Sequence, residues 1–485
     1  MVRGKALALA FVGLLAVPAL AEPQPLDCTQ FQAWLMGGVS SPRLSRLAQR
    51  RGIAFAADGE AVKALAAAGA QPAFIRTLRA LHASPAEDRR TGCPAVVSKV
   101  AELVHLRRYQ EAEPILRDLL TNDSENAALH FALAAVRLQR NDLDEAFDEF
   151  FRSNKLVPGS SETHSKLAYL FYRDEDGDNA IAEARTALSM DPQNAEAYRY
   201  LGLGLYANQR YLAALHAFQE SLAREPDSAE AYYDMGITLR AKGDAAGAAA
   251  AYRKAIVLDP QFWEAHSNLG VVLHDLGRLD DAIAEYREAK RLAPEEASIR
   301  SNLGDTLCDK GDYDSALAEF GELLHLDPGW QRGHDCMAKA YMAKRDYDAA
   351  VAELQLAIAQ NPTAAAEHRV LGQALLLQGK QTQALRELRI AVALAPDSAL
   401  AHHYLGTALF ETQQYAAAAR EFHEALRLEP SADNHYYLAA CLITMGDYDH
   451  ALAELEAAVQ LQPGQNLYQA RKQELLKLMK AGNTP

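Results

Sequence analysis

Residues 263–296 read WEAHSNLGVVLHDLGRLDDAIAEYREAKRLAPEE. Leu269, Val272 and Leu273 form one apolar stripe of a first helix, and Gly277 interrupts it. Ala282, Ile283, Tyr286 and Ala289 then share one face of a second helix, which Pro294 prevents from continuing. Gly270 and Ala282 are both small, as two antiparallel helices require where they cross at about 8–10 Å. Such a pair leaves half of its apolar surface bare, so it must stack on neighbours of the same kind.

Those neighbours are written on both sides. Pro158, Pro192, Pro226, Pro260, Pro294, Pro328, Pro362, Pro396 and Pro430 recur every 34 residues, and Pro463 follows after 33. The small pair recurs as Gly202 with Ala214, Gly236 with Ala248, Gly304 with Ala316, Gly372 with Ala384, and Gly406 with Ala418. With Leu269, Gly270, Ala282, Tyr286, Ala289 and Pro294 in register, the unit resembles the tetratricopeptide repeat. The register extends backward through Ala146, Phe150 and Pro158 to Tyr109 and Ala112, giving eleven units over 93–462. The resemblance implies an all-α fold: a right-handed superhelix, or α-solenoid, with a concave groove lined by the first helices.

In AHSNLG (265–270) and SNLGDTL (301–307) the array is most similar to the superhelical repeats of O-linked GlcNAc transferases. Those repeats carry an asparagine just before the Leu-Gly pair. Asn268 and Asn302 keep it here, but Tyr200, Asp234, Cys336, Val370 and Tyr404 replace it, and no catalytic domain is expected. No P-loop, Gly-x-Ser-x-Gly, His-Glu-x-x-His or dinucleotide fingerprint occurs either. The expectation is a non-enzymatic protein without cofactor or metal.

Seven histidines, His130, His164, His266, His334, His368, His402 and His435, stand at one repeat position, which Val96, Tyr198, Tyr232 and Arg300 fill elsewhere. Zinc ligands lie about 2.0–2.1 Å from the ion, far closer than equivalent positions on successive repeats. The histidines therefore read as packing residues, with a modest loosening of the array below about pH 6 as a secondary effect. DEDGDN (174–179) places Gly177 too early for a calcium loop and reads as a turn.

The ends differ from the middle. Arg3 and Lys5 precede the apolar run 6–17, and Ala19 and Ala21 suit a signal peptidase cut after Ala21. Residues 1–21 thus read as a signal peptide, 22–92 as a small helical domain, 93–462 as the array, and 463–485 as a capping helix and tail. The mature chain is expected to be periplasmic or secreted, with no membrane span. Losing Arg3 and Lys5 takes the formal charge from −15 to −17, which argues against nucleic acid as a partner. Of five cysteines, Cys28 and Cys93 flank the small domain and suit a disulfide in an oxidising compartment.

Within 22–92, Ser41 reads as an N-cap, Ile53–Phe55 as a short strand, and Asp58 and Pro72 as starts of two further helices. The segment resembles a short module found before repeat arrays in some exported bacterial proteins. Arg43, Arg46, Arg50, Arg51, Arg76 and Arg79 make it basic, as a solvated face or a contact for something acidic.

Carrying the family's concave positions over unit by unit places Tyr169, Tyr172, Arg173, Arg199, Tyr206, Tyr233 and Arg240 in the groove. His274, Asp305, Lys339 and Arg369 follow. Tyr mixed with Arg is the composition of a peptide hot spot, and the charge alternates from basic to acidic to basic, which would select an extended partner by register. Glu162, Glu196, Glu230 and Glu264 would oppose a clamp for a C-terminal carboxylate. The expected function is an exported scaffold binding proteins or extended peptides, within an envelope or secretion assembly. The alternatives are a glycan- or cell-wall-binding solenoid, or an accessory array related to the transferases.

Overall fold

The computed structural model describes residues 24–81, 93–327, 330 and 333–482; the signal-peptide segment 1–21 lies outside them. Among the described residues are twenty-seven helices and one isolated bridge. The chain forms two compact units, Met1–Ala265 and His266–Pro485.

The first unit opens with four short helices, α1 (Cys28–Met36), α2 (Ser41–Arg51), α3 (Gly59–Ala67) and α4 (Pro72–Ala80). Sequence reasoning missed α1, although its signal is present. Asp27 and Gln30 form a reciprocal capping box, with Gln30 N–H donating to Asp27 at 2.8 Å. The N-cap of α2 is Ser40 rather than Ser41, because Ser40 Oγ accepts from the Arg43 N–H while Ser41 Oγ accepts from the Gln71 N–H across to α4. The expected strand at Ile53–Phe55 is a single parallel bridge between Leu26 and Ile53: one extended partner supports one rung, not a ladder.

Helix pairs follow. They are α5 (Ala95–His105) with α6 (Tyr109–Asn122), α7 (Ala127–Gln139) with α8 (Leu143–Leu156), and α9 (Ser161–Arg173) with α10 (Gly177–Met190). Next come α11 (Ala195–Ala207) with α12 (Tyr211–Arg224), and α13 (Ala229–Ala241) with α14 (Ala245–Leu258). The first helix of a pair packs on its own second helix and on the preceding one. The first helices α9, α11 and α13 also touch one another in succession, which makes them an inner layer.

The boundary between units falls inside α15 (Trp263–Asp275). The second unit continues with α16 (Leu279–Leu292), α17 (Ala297–Lys310), α18 (Tyr313–Leu326), α19 (Gly333–Ala343) and α20 (Tyr347–Gln360). It ends with α21 (Ala365–Leu377), α22 (Gln381–Leu394), α23 (Ala399–Glu411), α24 (Tyr415–Leu428), α25 (Ala432–Met445), α26 (Tyr448–Leu461) and α27 (Asn466–Gly482). On α27, Tyr468 packs against Ala432 and Ala458, and Leu475 against Ala439, Ala451 and Leu455. The last pair therefore has its apolar face covered.

Two local rules recur along the array. The turn between the helices needs one residue in the left-handed region: Arg107, Asn141, Glu175, Gln209, Gly243, Gly277, Gly311, Arg345, Gly379, Gln413 and Gly446. Glycine fits there without strain, and the other side chains fit at a cost. Inside the pair, Gly270 is bare for a reason different from the expected helix crossing. A Cβ there would meet the Tyr286 ring at 2.7 Å, so the glycine seats the second helix's aromatic anchor.

Candidate functional site: the inner face of the repeats

The small helical module is not separate from the array. One apolar core runs without a break from Leu26, Phe31 and Trp34 through Val97, Val100 and Phe131 to Leu170. Helix α1 lies against α5 and α7, α3 lies against α5, and a disulfide joins Cys28 to Cys93 with Cα atoms 5.1 Å apart. Gly37 sits on the Phe131 ring so closely that a Cβ could not be accommodated without displacing it.

Helix α2 then extends the contact with charge. Arg43, only 3% exposed, donates to Glu162 at 2.6 Å and to Asp191 at 2.5 Å. Arg50 meets Asp191 at 2.9 Å, and Arg46 and Ser40 both donate to Glu225. The acidic surface that these arginines face belongs to the same chain, while Arg76 and Arg79 are the solvated part of the basic patch. Burial alone would raise the Asp191 carboxyl, but Arg43, the Gln193 N–H and Arg50 hold it below its ordinary range.

The module decides where the inner face is open. Val97, Phe131, Ser165, Arg199 and Tyr233 are one position repeated every 34 residues. Val97 and Phe131 are covered in one core with the module, at 4% and 1% exposure, and Arg43 of α2 covers Glu162 on α9. Ser165 is buried as Ser267 and Ser301 are at the same position away from the module, whereas Arg199 and Tyr233 are only partly buried. The accessible face of the first unit therefore begins at the third repeat's C-terminal half, with Tyr169 and Tyr172.

There the sequence-predicted residues of the first unit come together. The Tyr169 ring is 6.4 Å from Tyr172 and 5.1 Å from Tyr200. Arg173 donates to Tyr169 Oη at 3.1 Å and to Asn141 at 2.8 Å. Tyr172, Arg173, Glu175, Tyr206 and Ala207 line an open pocket. Arg240 is exposed, and Tyr233 lies 5.8 Å from Tyr252. Burial pushes the Tyr172 phenol up, so the hydroxyl remains protonated and able to donate.

Arg199 corrects an expectation. Its guanidinium lies over Tyr200 and donates to Asp234 at 2.5 Å. Burial opposes its charge, but the Asp234 carboxylate outweighs burial and holds Arg199 well above its ordinary range. Arg199 is thus part of the floor, and the exposed cations of this face are Arg173 and Arg240. Glu196 is likewise engaged, by Lys166 at 2.5 Å and Tyr200 at 2.9 Å.

The predicted residues of the second unit form their own set. His274 meets Asp309 at 2.7 Å, Asp305 accepts from Cys336, Lys339 pairs with Asp335 at 2.6 Å, and Arg369 lies over the Tyr404 ring. The expected alternation of charge is therefore largely answered inside the protein, which leaves less of it to read a partner.

The seven histidines follow a rule that sequence reasoning missed. Each meets a glutamate 19 residues later, on the second helix of its own pair. The distances run from 2.5 Å for His130–Glu149 to 2.8 Å for His368–Glu387. Arg300 makes the same contact with Glu319 at 3.2 Å. Where the position is Tyr198 or Tyr232, residue 19 later is Ala217 or Ala251, and Val96 is matched by Ile115. Each of these histidine rings therefore faces a carboxylate of its own pair rather than another histidine. DEDGDN is the α9–α10 turn, with Asp176 capping α10.

A tetratricopeptide-repeat family model matches residues 101–160, 165–229, 201–261, 233–297, 337–399 and 404–466. The chain belongs to the tetratricopeptide-repeat family. A second model of the same repeat matches residues 273–340. Among solved structures, this tetratricopeptide array is similar to yeast Tom70 at 15% identity, over 80% of this chain and 94% of that one, with a TM-score of 0.39. It is similar to PilF of Pseudomonas aeruginosa at 20% identity, over 45% and 98%, with a TM-score of 0.39. A tetratricopeptide protein of Parabacteroides merdae matches at 18% identity, over 52% and 98%, with a TM-score of 0.42. No curated protein matches the chain.

Proposed function

We propose that the chain is an exported scaffold whose inner face binds an extended segment of a protein partner. The tetratricopeptide fold is a protein-interaction fold, and the observation that carries the reading is one row of side chains. Tyr172, Tyr206 and Arg240 occupy the same position on three successive inner helices, just beyond the part of the face that the module covers. Aromatic residues and arginine at a partly buried surface are what peptide anchors are made of. Export is supported by the charged and apolar leader 1–21 and by the Cys28–Cys93 pair, a bond that persists in oxidising compartments.

The test is capture from envelope extract with residues 22–485, beside a variant carrying Tyr172→Ala, Tyr206→Ala and Arg240→Ala. A protein retained by the first and lost from the second supports the reading. Identical retention by both would sink it and move attention to the module's outer surface.

A further inference from the structure

We propose, building on that reading, that the row Tyr172–Tyr206–Arg240 takes a proline-rich segment in the polyproline II conformation, with prolines three apart and an acidic residue three positions beyond. Two independent properties of the row lead there: its spacing and its hydrogen-bond character.

Tyr172, Tyr206 and Arg240 are 34 residues apart, so each repeat contributes one side chain to the row. Successive inner helices touch, and packed helices stand about 8–10 Å apart. A polyproline II segment rises about 3.1 Å per residue with three residues per turn, so it returns to the same side about every 9 Å. One turn of such a ligand therefore matches one repeat of the array. An extended β-strand shows one side about every 6.8 Å and drifts out of register within two repeats.

The chemistry agrees with the pitch. Tyr172 and Tyr206 both line one open pocket and offer it aromatic surface. Its polar lining consists of three donors, the Tyr172 and Tyr206 hydroxyls and the Arg173 guanidinium, and one carboxylate, Glu175. Arg240 is exposed one repeat further on, and the neighbouring carboxylates Asp234 and Glu196 are engaged by Arg199, Lys166 and Tyr200. A surface rich in donors suits a chain rich in acceptors. Proline supplies a carbonyl but no N–H, and the polyproline II backbone makes no internal hydrogen bonds. Beyond the two tyrosines, exposed Arg240 is placed for a carboxylate one ligand turn further on.

The experiment is fluorescence anisotropy with labelled nine-residue probes on the disulfide-intact chain 22–485. One probe reads Gly-Asp-Ala-Ser-Pro-Ala-Ser-Pro-Gly and a second has the reverse order, since a polyproline II segment can enter in either direction. Binding of one of them is expected, weakened at least tenfold when both prolines become alanine. Tyr172→Ala with Tyr206→Ala should weaken it at least tenfold, the two Tyr→Phe changes only a fewfold, and Arg240→Gln should abolish the preference for the acidic residue. Circular dichroism and thermal unfolding check that each variant folds. Equal binding of the alanine probe, no binding of either probe, or indifference to both tyrosines overturns the proposal. If the probes fail while a captured partner still depends on Tyr172 and Tyr206, the peptide-scaffold reading stands and only the proline-rich ligand falls.

Discussion

Replacing Arg43 with methionine should detach helix α2 from the repeats. The Arg43 side chain is 4% exposed, and those of Glu162 and Asp191 are 6% exposed each. Taking away one member of a buried ion cluster leaves the others charged and desolvated, which costs about 3–5 kcal/mol. Asp191 retains Arg50 and the Gln193 N–H, whereas Glu162 loses the two hydrogen bonds that Arg43 gives it. The penalty is therefore expected mainly at Glu162. Native-state hydrogen exchange at the amides of Leu44, Leu47 and Ala48 measures it locally, as a protection loss of about two to four orders of magnitude. Replacing the cluster together, as Arg43→Met, Glu162→Met and Asp191→Asn, should recover stability to within about 1 kcal/mol, because no buried charge is stranded. The pH dependence has a defined sign. A carboxyl depressed on folding, as Asp191 is, contributes stability that is complete above its unfolded value of about 3.9 and disappears as pH falls through the lower folded value. Protection of α2 in the unaltered protein should thus decline below about pH 4, and in Arg43→Met that decline should flatten. A single variant within 1 kcal/mol of the parent would refute the argument.

Three other outcomes are expected. Cys28→Ser with Cys93→Ser opens a closure of 65 residues, and chain entropy puts the loss at about 4 kcal/mol, read from the urea midpoint of the first unit; an unchanged midpoint contradicts it. Arg345→Gly or Gln413→Gly, at left-handed turn positions, should stabilise by about 0.5–1 kcal/mol, and Gly277→Ala should destabilise by about 1–2 kcal/mol, in thermal unfolding. His402→Ala strands Glu421 and should cost about 1–3 kcal/mol. His402→Tyr with Glu421→Ala copies the Tyr232 and Ala251 combination and should recover most of that; failure to recover would show that the two positions are not coupled.

The repeats were legible because each rests on local rules: a 3.6-residue stripe, a small residue where the two helices meet, and a stop at Pro. The inner-face positions of the first unit were legible through the same register. The state of each side chain was not. Arg199 sits at the right position and is engaged by Asp234, 35 residues on, and nothing in its own repeat announces that partner. The covering of the first repeats was illegible for a similar reason. The arginines of α2 show a basic face, but what they face lies 119 to 179 residues away. Two signals were present and went unused: the Asp27–Gln30 capping box of α1, and the glutamate 19 residues after each histidine.

The long reach of the α2 contact bears on the order in which the protein can complete itself. Each histidine finds its glutamate as soon as its own repeat exists, but Ser40 and Arg46 wait for Glu225, the former across 185 residues. At synthesis rates of about 5–20 residues per second that wait is about 10–40 seconds. Until Glu162 and Asp191 exist the arginine-rich helix has no acidic counterpart, and its contacts through Ser40 and Arg46 are the last that α2 completes. A chaperone or a competing anion would find its opening in that interval.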